Sequence, residues 1–306
     1  MMESLFFNIT DTKYKITELF KEDKGYITRV DISNGIVFLE GKLVDKKREI
    51  SFKNLDRMVI IIMVDKGSLS IKNHINKKQE YLNKGEIAIY CSTKQNMTLT
   101  MQKSKKTDIF ILFIADFFLK RYVSGDKNEP IDFLYHKIQK DISLEKIDLF
   151  PVDALSLYIV KKLVTVPKNR RMQSLYAEHH VMEFMLHCFR LIDIYIEDIS
   201  NDDLKLAAKA KAILLKDFVS PPTIQKLAHL CATNESKLKK AFKKVYQSTL
   251  YAYVQKLRLE EANLLLKEEN LTIGQIAIKV GYRHQGYFSK LFFSTYGIYP
   301  KALRRH

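Results

Sequence analysis

The chain has 306 residues, 46% hydrophobic and 28% charged, which is enough for two domains with separate cores and unlike a disordered or fibrous chain. The formal net charge is +16 and unevenly spread: residues 202–306 hold 19 Lys+Arg against 8 Asp+Glu, and residues 1–201 hold 32 against 27. A basic terminal domain on a nearly balanced body points to a polyanion partner, although a solubility device or a membrane-surface patch would carry the same charge.

The longest apolar stretches, Met58–Val64 and Ile109–Phe118, fall far short of the ~20 residues of a membrane span. The first residues, MMESLFFNITDTKYK, place an acid before the apolar patch and read as no signal peptide. Cys91, Cys188 and Cys231 show no framework spacing. They fit a reducing cytoplasm and read as small buried hydrophobes.

Residues 25–115 read as strands. The runs are 26–32, 36–44, 48–52, 58–64, 68–75, 86–90, 97–102 and 108–114, separated by Gly or Asn/Asp/Lys turns. That spacing predicts a sandwich or small barrel, jelly-roll-like, within an α+β two-domain chain. Phe38, Phe52 and Tyr90 are inward aromatics that could line a ligand pocket, and plain core would look the same. A barrel metalloenzyme needs clustered His and carboxylate ligands, and residues 1–115 hold one histidine, His74. No phosphate-binding Gly loop and no nucleophile elbow occur. The reading is no enzyme, no cofactor and no metal.

Residues 117–198 change to a helical period. In 172–198 the residues Leu175, Met182, Met185, Leu186, Phe189, Ile192 and Ile196 form one apolar face, which would pack on the barrel or on a second copy of the chain. Within it, HHVMEFMLHC puts His180, Glu183 and His187 near one face. It matches neither a zinc-protease nor a di-iron spacing and reads as a polar stripe. Asn201-Asp202-Asp203 breaks the pattern and can cap the next helix. The expected division is therefore 1–201, for effector sensing or dimerisation, and 202–306.

The C-terminal part contains a repeat. In 223–246, Ile224, Leu227, Ala228 and Cys231 recur as Ile273, Ile276, Ala277 and Val280 in 272–297, with centres 49 residues apart. Each set is one helical face with a small Ala where a second helix crosses. A tight turn follows, and then a helix anchored by Leu238 and Phe242 or by Phe288 and Phe292. This is the helix-turn-helix pattern, twice. Residues 250–268 form a linker helix of ~28 Å, which with its end turns can hold two recognition helices about one DNA turn, ~34 Å, apart.

At these residues the chain resembles the AraC/XylS transcriptional regulators. LAHLCATNESKLKKAFKK, YVQKLRLEEANLLLK, LTIGQIAIKVGY and YFSKLFFSTYGIYPKALRR carry the resemblance over about the last hundred residues. The first half is similar to the effector and dimerisation half of full-length members. GYRHQGYFSKLFF looks closest to regulators of the pyochelin-receptor type, which respond to ferric siderophores. The resemblance implies double-stranded DNA and RNA polymerase as partners, a siderophore or nutrient effector, and activation. It places base contacts at Ser236, Lys239 and Lys240, and at Gln285, Gly286, Tyr287 and Lys290. Lys and Gln can pair with guanine and adenine edges. Lys237, Lys243, Lys244, Arg258, Lys279 and Arg283 are expected on phosphates, with Thr272 capping a helix whose N-terminus faces one.

The family pattern is not fully met. Gln247 stands where a Gly usually follows the first recognition helix, at a cost of ~1 kcal/mol if that position is left-handed. His284 replaces a usual acid, and Gly286 a usual Ser. An architectural DNA-binding protein without effector or strong sequence preference is the alternative reading.

Overall fold

In a computed structural model of the chain, the structure describes residues 2–6, 14–22, 25–33, 35–44, 47–53, 57–93, 97–101, 106–126, 129–140, 144–166, 172–192, 201–267 and 270–304. The contacts divide the chain into two units, Met1–Val152 with Ile159–Ile192, and Asp153–Tyr158 with Asp193–His306. No helix among the described residues is long and apolar enough to cross a membrane.

The first unit contains β1 (Met2–Phe6), β2 (Lys15–Glu22), β3 (Gly25–Ser33), β4 (Ile36–Leu43), β5 (Arg48–Lys53), β6 (Met58–Lys66), β7 (Leu69–Asn73), β8 (Gln79–Leu82), β9 (Glu86–Ser92), β10 (Met97–Met101), β11 (Thr107–Ala115) and β12 (Glu145–Pro151). They form a five-stranded sheet, β1-β5-β10-β7-β8, and a seven-stranded sheet, β12-β9-β6-β11-β4-β3-β2. The eight strands read from the sequence are all present. The four others, β1, β2, β8 and β12, are the outermost strands of the two sheets.

The two sheets share one core. Ile50, Phe52, Ile71 and Leu99 from one meet Leu39, Ile60, Ile62 and Ile111 from the other. Phe52 lies 5.3 Å from Phe113 between ring centroids. Full burial of a Phe contributes ~1.5–3 kcal/mol, so these strands are held chiefly by their inward faces. β11 is buried at all nine positions. Ile109, Ile111 and Phe113 belong to the shared core. The intervening Phe110 meets Phe184 edge-on at 5.4 Å and Phe38 at 5.4 Å. A strand covered on both faces reads as a continuous apolar run rather than an alternating one.

The helices are α1 (Asp116–Leu119), followed by a 3₁₀ turn (Lys120–Tyr122), then α2 (Pro130–Gln139), α3 (Ala154–Val164) and α4 (Gln173–Leu191). The first turns of α3 group with the second unit. The burial of α4 corrects the sequence reading. The core face is Ala177, Val181, Phe184, Met185, His187, Cys188 and Phe189, whereas Leu175 and Leu186 are exposed. Met185, Phe189 and Ile192 of the expected face are buried, and the stripe continues through Ala177, Val181, Phe184 and Cys188 rather than through Leu175 and Leu186. Ile196 lies outside the described residues.

The second unit adds α5 (Asn201–Asp217), α6 (Ile224–Leu230), α7 (Glu235–Tyr246), α8 (Leu250–Leu265), α9 (Ile273–Lys279), α10 (Gln285–Tyr296) and α11 (Pro300–Leu303). Asn201 is the first helical residue of α5, and Asp202 and Asp203 occupy its first turn, the favourable end for negative charge. α8 ends three residues earlier than the sequence suggested, which makes it ~24 Å long at the standard rise.

Candidate nucleic-acid interface

α6 and α7 form a first helical pair. Thr223 Oγ1 accepts the Lys226 amide at 3.2 Å, and Asn234 Oδ1 accepts the Lys237 amide at 2.8 Å. Each side chain satisfies an amide that its helix leaves unpaired. Between the helices Ala232 takes a left-handed φ of 56°, and Thr233 N–H donates to Ala228 O at 3.0 Å. Leu227 and Ala228 of α6 and Leu238 and Phe242 of α7 then share a core with Ala207, Ala210 and Leu214 of α5.

α9 and α10 repeat the arrangement. Thr272 and Gln275 make a reciprocal capping box, with bonds of 2.8 and 3.2 Å. Gly281 takes φ 92°, and Tyr282 N–H donates to Ala277 O at 2.8 Å, matching the first turn at an offset of 49 residues. From the start of the second helix the offset is 50, because Arg283 is an extra residue in the turn. Phe288 stands 5.6 Å from Tyr282 and 5.8 Å from Phe292. Tyr282 is buried, and burial pushes its phenol up to about 12.

The apolar faces fix what points outward. Ser236, Lys237, Lys239, Lys240, Lys243 and Lys244 are all exposed on α7. Lys239 pairs with Glu235 at 3.1 Å and Lys244 with Asp203 at 3.4 Å. Both pairs are at the surface, where such bridges are weak and readily exchanged. Gln285, Gly286, Tyr287 and Lys290 are exposed on α10, as are Lys279 and Arg283 beside it. The Tyr287 ring lies 5.9 Å from that of Tyr282. Its hydroxyl hydrogen-bonds Tyr251 at the start of α8, and this bond raises the Tyr251 pKa.

One expected phosphate contact, Arg258, has other partners. Arg258 Nε donates to Phe218 O at 2.9 Å and its Nη2 to Val219 O at 3.0 Å, with the guanidinium 5.3 Å from the Tyr282 ring. It braces the turn of the second pair from behind. A Cβ at Gly281 would sit 2.5 Å from Val219 O and 2.9 Å from Arg258 Cζ, so that glycine is required by space as well as by φ. Thr272 caps α9 as expected, its hydroxyl accepting the Gln275 amide and its amide bonding the Gln275 side chain.

The departures from the family pattern have visible consequences. Gln247 is left-handed at φ 50°, and its Nε2 donates to Lys244 O at 3.0 Å, closing one carbonyl at the end of α7. His284 precedes α10 with no side-chain capping bond. Gly297 is left-handed at φ 72° after α10, and Pro300 opens α11 in its first turn.

The first unit has a cleft of about 390 Å³ beside β2, β3 and β4, lined by Tyr14, Glu18, Tyr26, Phe38 and Glu40 and by Leu163 after the middle of α3. Tyr26 Oη donates to Glu40 at 2.6 Å, and burial together with Glu40 raises its pKa. Of the three aromatics considered for a pocket, Phe38 reaches this cleft, whereas Phe52 and Tyr90 are core. His74 donates to or accepts from Thr98 Oγ1 at 2.7 Å. Cys91, Cys188 and Cys231 are buried, and burial pushes the Cys91 thiol up to about 12.

Residues 227–306 match the model of a family described as a helix-turn-helix domain. The chain is 34% identical over 90 residues to the bifunctional transcriptional activator/DNA repair enzyme AdaA of Bacillus subtilis, over 29% of this chain and 43% of that protein. It is 39% identical over 85 residues to the HTH-type transcriptional regulator AlkR of Acinetobacter baylyi, over 28% of each. The matches thus span less than half of these relatives. ToxT from Vibrio cholerae O395 aligns over 88% of this chain and 97% of that one, at 17% identity and a TM-score of 0.32, too low to bear on function. Residues 227–306 thus match a helix-turn-helix domain, and the described part of that span holds α7 to α11 and most of α6.

Proposed function

We propose that this chain is a transcriptional regulator of the AraC/XylS kind that binds specific DNA through α7 and α10 and activates transcription in response to a small molecule. The observation that supports it most is the repeated pair: one buried pattern, spaced by 49 and then 50 residues, turns a lysine-bearing face of α7 and a mixed polar and aromatic face of α10 outward. Ser236, Lys239 and Lys240, with Gln285, Tyr287 and Lys290, are the proposed base readers. Lys237, Lys243, Lys244, Lys279 and Arg283 are proposed to hold phosphates, which set register and carry no sequence information. Thr272 is proposed to cap α9 so that its N-terminus faces a phosphate, and Arg258 is left out of that set because its donors serve the fold.

The cleft is the proposed effector site in the first unit. Glu18, Glu22 and Glu40 outnumber Lys21 in its lining, beside Ile16, Val30 and Leu163. Each glutamate already has a partner, Glu18 with Lys21, Glu22 with Arg48 and Glu40 with Tyr26, so the cleft offers paired polar groups beside apolar surface, which suits an amphipathic small molecule such as a siderophore or another nutrient. An effector acts only if it binds two states of the protein unequally. A homodimer is proposed through α4, where Leu175, Tyr176 and Leu186 are exposed, and RNA polymerase would be the partner that activation requires.

The test is competition between a genomic fragment selected by the protein and random-sequence duplex, at near-physiological salt. A regulator should prefer its own site by ~10³-fold or more. Near-equal affinity, lost with a modest rise in salt, would favour the architectural reading.

A further inference from the structure

His179, His180 and Glu183 form the one group among the described residues whose His, Cys or carboxylate atoms converge as metal ligands do. The sequence had grouped His180, Glu183 and His187. His187 instead lies in the core at 4% exposure, and His179 takes its place on the outer side of α4. Helical spacing explains the convergence, since residues three and four apart share a face, which brings Glu183 under both histidines. His180 Nδ1 lies 2.7 Å from Glu183 Oε2, and His179 Nε2 lies 3.8 Å from Glu183 Oε1. The carboxylate is held between two imidazoles.

We propose that His179, His180 and Glu183 bind a divalent transition-metal ion of the Zn²⁺ class. Two imidazoles and one carboxylate suit Zn²⁺, Ni²⁺, Co²⁺ or Fe²⁺ rather than Mg²⁺ or Ca²⁺, which take oxygen ligands. All three ligand atoms lie within 4.8 Å of one another. Bonds of ~2.0–2.2 Å in a tetrahedral shell need ligand atoms ~3.4 Å apart, so the widest spacing closes by up to ~1.4 Å while the hydrogen-bonded His180–Glu183 pair opens from 2.7 Å. The His179 side chain is 62% exposed and free to rotate by that amount. His180 and Glu183, at 16% and 35%, are partly withdrawn from water, and ion binding replaces their mutual hydrogen bond. In a single chain the remaining positions face solvent and would hold water; in a dimer through this side of α4 they would face the second copy. An ion bound only by the folded helix stabilises the first unit by mass action.

The experiment is calorimetric titration of untagged, full-length protein with Zn²⁺, for the wild type and for His179→Ala and Glu183→Gln. The expected result is one tightly bound Zn²⁺ per chain in the wild type. Each variant should bind it at least ~10–100-fold more weakly, the loss that even an outer-shell partner's removal causes. Melting without metal checks that the variants fold, and His179→Gln provides a second, shape-preserving change at the exposed position. Visible absorption of a Co²⁺ complex, lost in the same variants, reads the ligand set directly. Absence of stoichiometric binding in the wild type, or equal Zn²⁺ affinity in well-folded variants, would overturn the proposal.

Discussion

Lys237, Lys239, Lys240, Lys243 and Lys244 stand on α7, and the corresponding positions of α10, 50 residues on, are Tyr287, Ser289, Lys290, Phe293 and Ser294. Beneath these surfaces the two pairs bury the same pattern, Leu238 and Phe242 against Phe288 and Phe292. The caps differ in the same way. Asn234 bonds the start of α7, whereas His284 leaves the start of α10 without a side-chain partner. One skeleton thus carries two surface chemistries. A face with five lysines gains most of its affinity from phosphates, and that gain is sensitive to salt. A face with one lysine, a glutamine and a tyrosine must gain affinity by fit and by directed hydrogen bonds. If both faces meet DNA as proposed, α7 adds phosphate grip through Lys237, Lys243 and Lys244 beside its base readers, and α10 carries the larger share of discrimination.

The largest expected effect tests the shared skeleton. Ala277 and Ala228 are 1% and 3% exposed where the paired helices cross. Ala277→Leu should overpack the second crossing and cost ~1–3 kcal/mol or more in denaturant unfolding, with Ala228→Leu doing the same in the first. A stable, fully binding Ala277→Leu variant would show that the helices do not cross there.

The second test separates grip from discrimination. Lys290→Ala should lose ~1–3 kcal/mol on the best site and relax preference at one or two base pairs. Lys243→Ala should weaken all sequences alike and lower the salt slope by ~1. The comparison fails if the two variants behave identically across a panel of sequences.

Smaller effects come from the helix ends. Asn234→Ala should cost ~1 kcal/mol of stability, and His284→Asn should gain a few tenths to ~1 kcal/mol by giving α10 the cap it lacks. Melting of both variants checks this, and a loss on His284→Asn would mean that His284 serves a contact other than capping. Smallest is Gln247→Gly. It relieves a left-handed side chain but removes the Gln247 bond to Lys244 O, so a gain below ~1 kcal/mol is expected.

The parts legible in the sequence were those whose burial leaves a period. The eight strands read in advance are flanked within their sheets or buried on one full face. The missed strands are the edges, and their chemistry hid them. β2 reads KITELFKE and β12 reads EKIDLFP, with charges interrupting the apolar alternation as edge strands commonly require. α4 was legible as a helix and partly in its facing: Met185, Phe189 and Ile192 are inward, but Leu175 and Leu186 are not, because Ala177, Val181 and Cys188 share the buried side. On the interface, the outward lysines of α7 followed directly from the apolar pattern. The role of Arg258 did not, because its partners are the carbonyls of Phe218 and Val219, forty residues away in sequence and without a side-chain signature. His179, His180 and Glu183 were not grouped because neighbouring histidines match no familiar spacing.

The central claim is that two unlike faces on one repeated skeleton read a specific DNA site. The most direct measurement is selection of fragments from the host genome on the full-length protein at near-physiological salt. The account predicts a few strongly enriched sites sharing two conserved blocks about one helical turn, ~10 bp, apart. Broad enrichment without a shared motif, lost with a modest increase in salt, would contradict it.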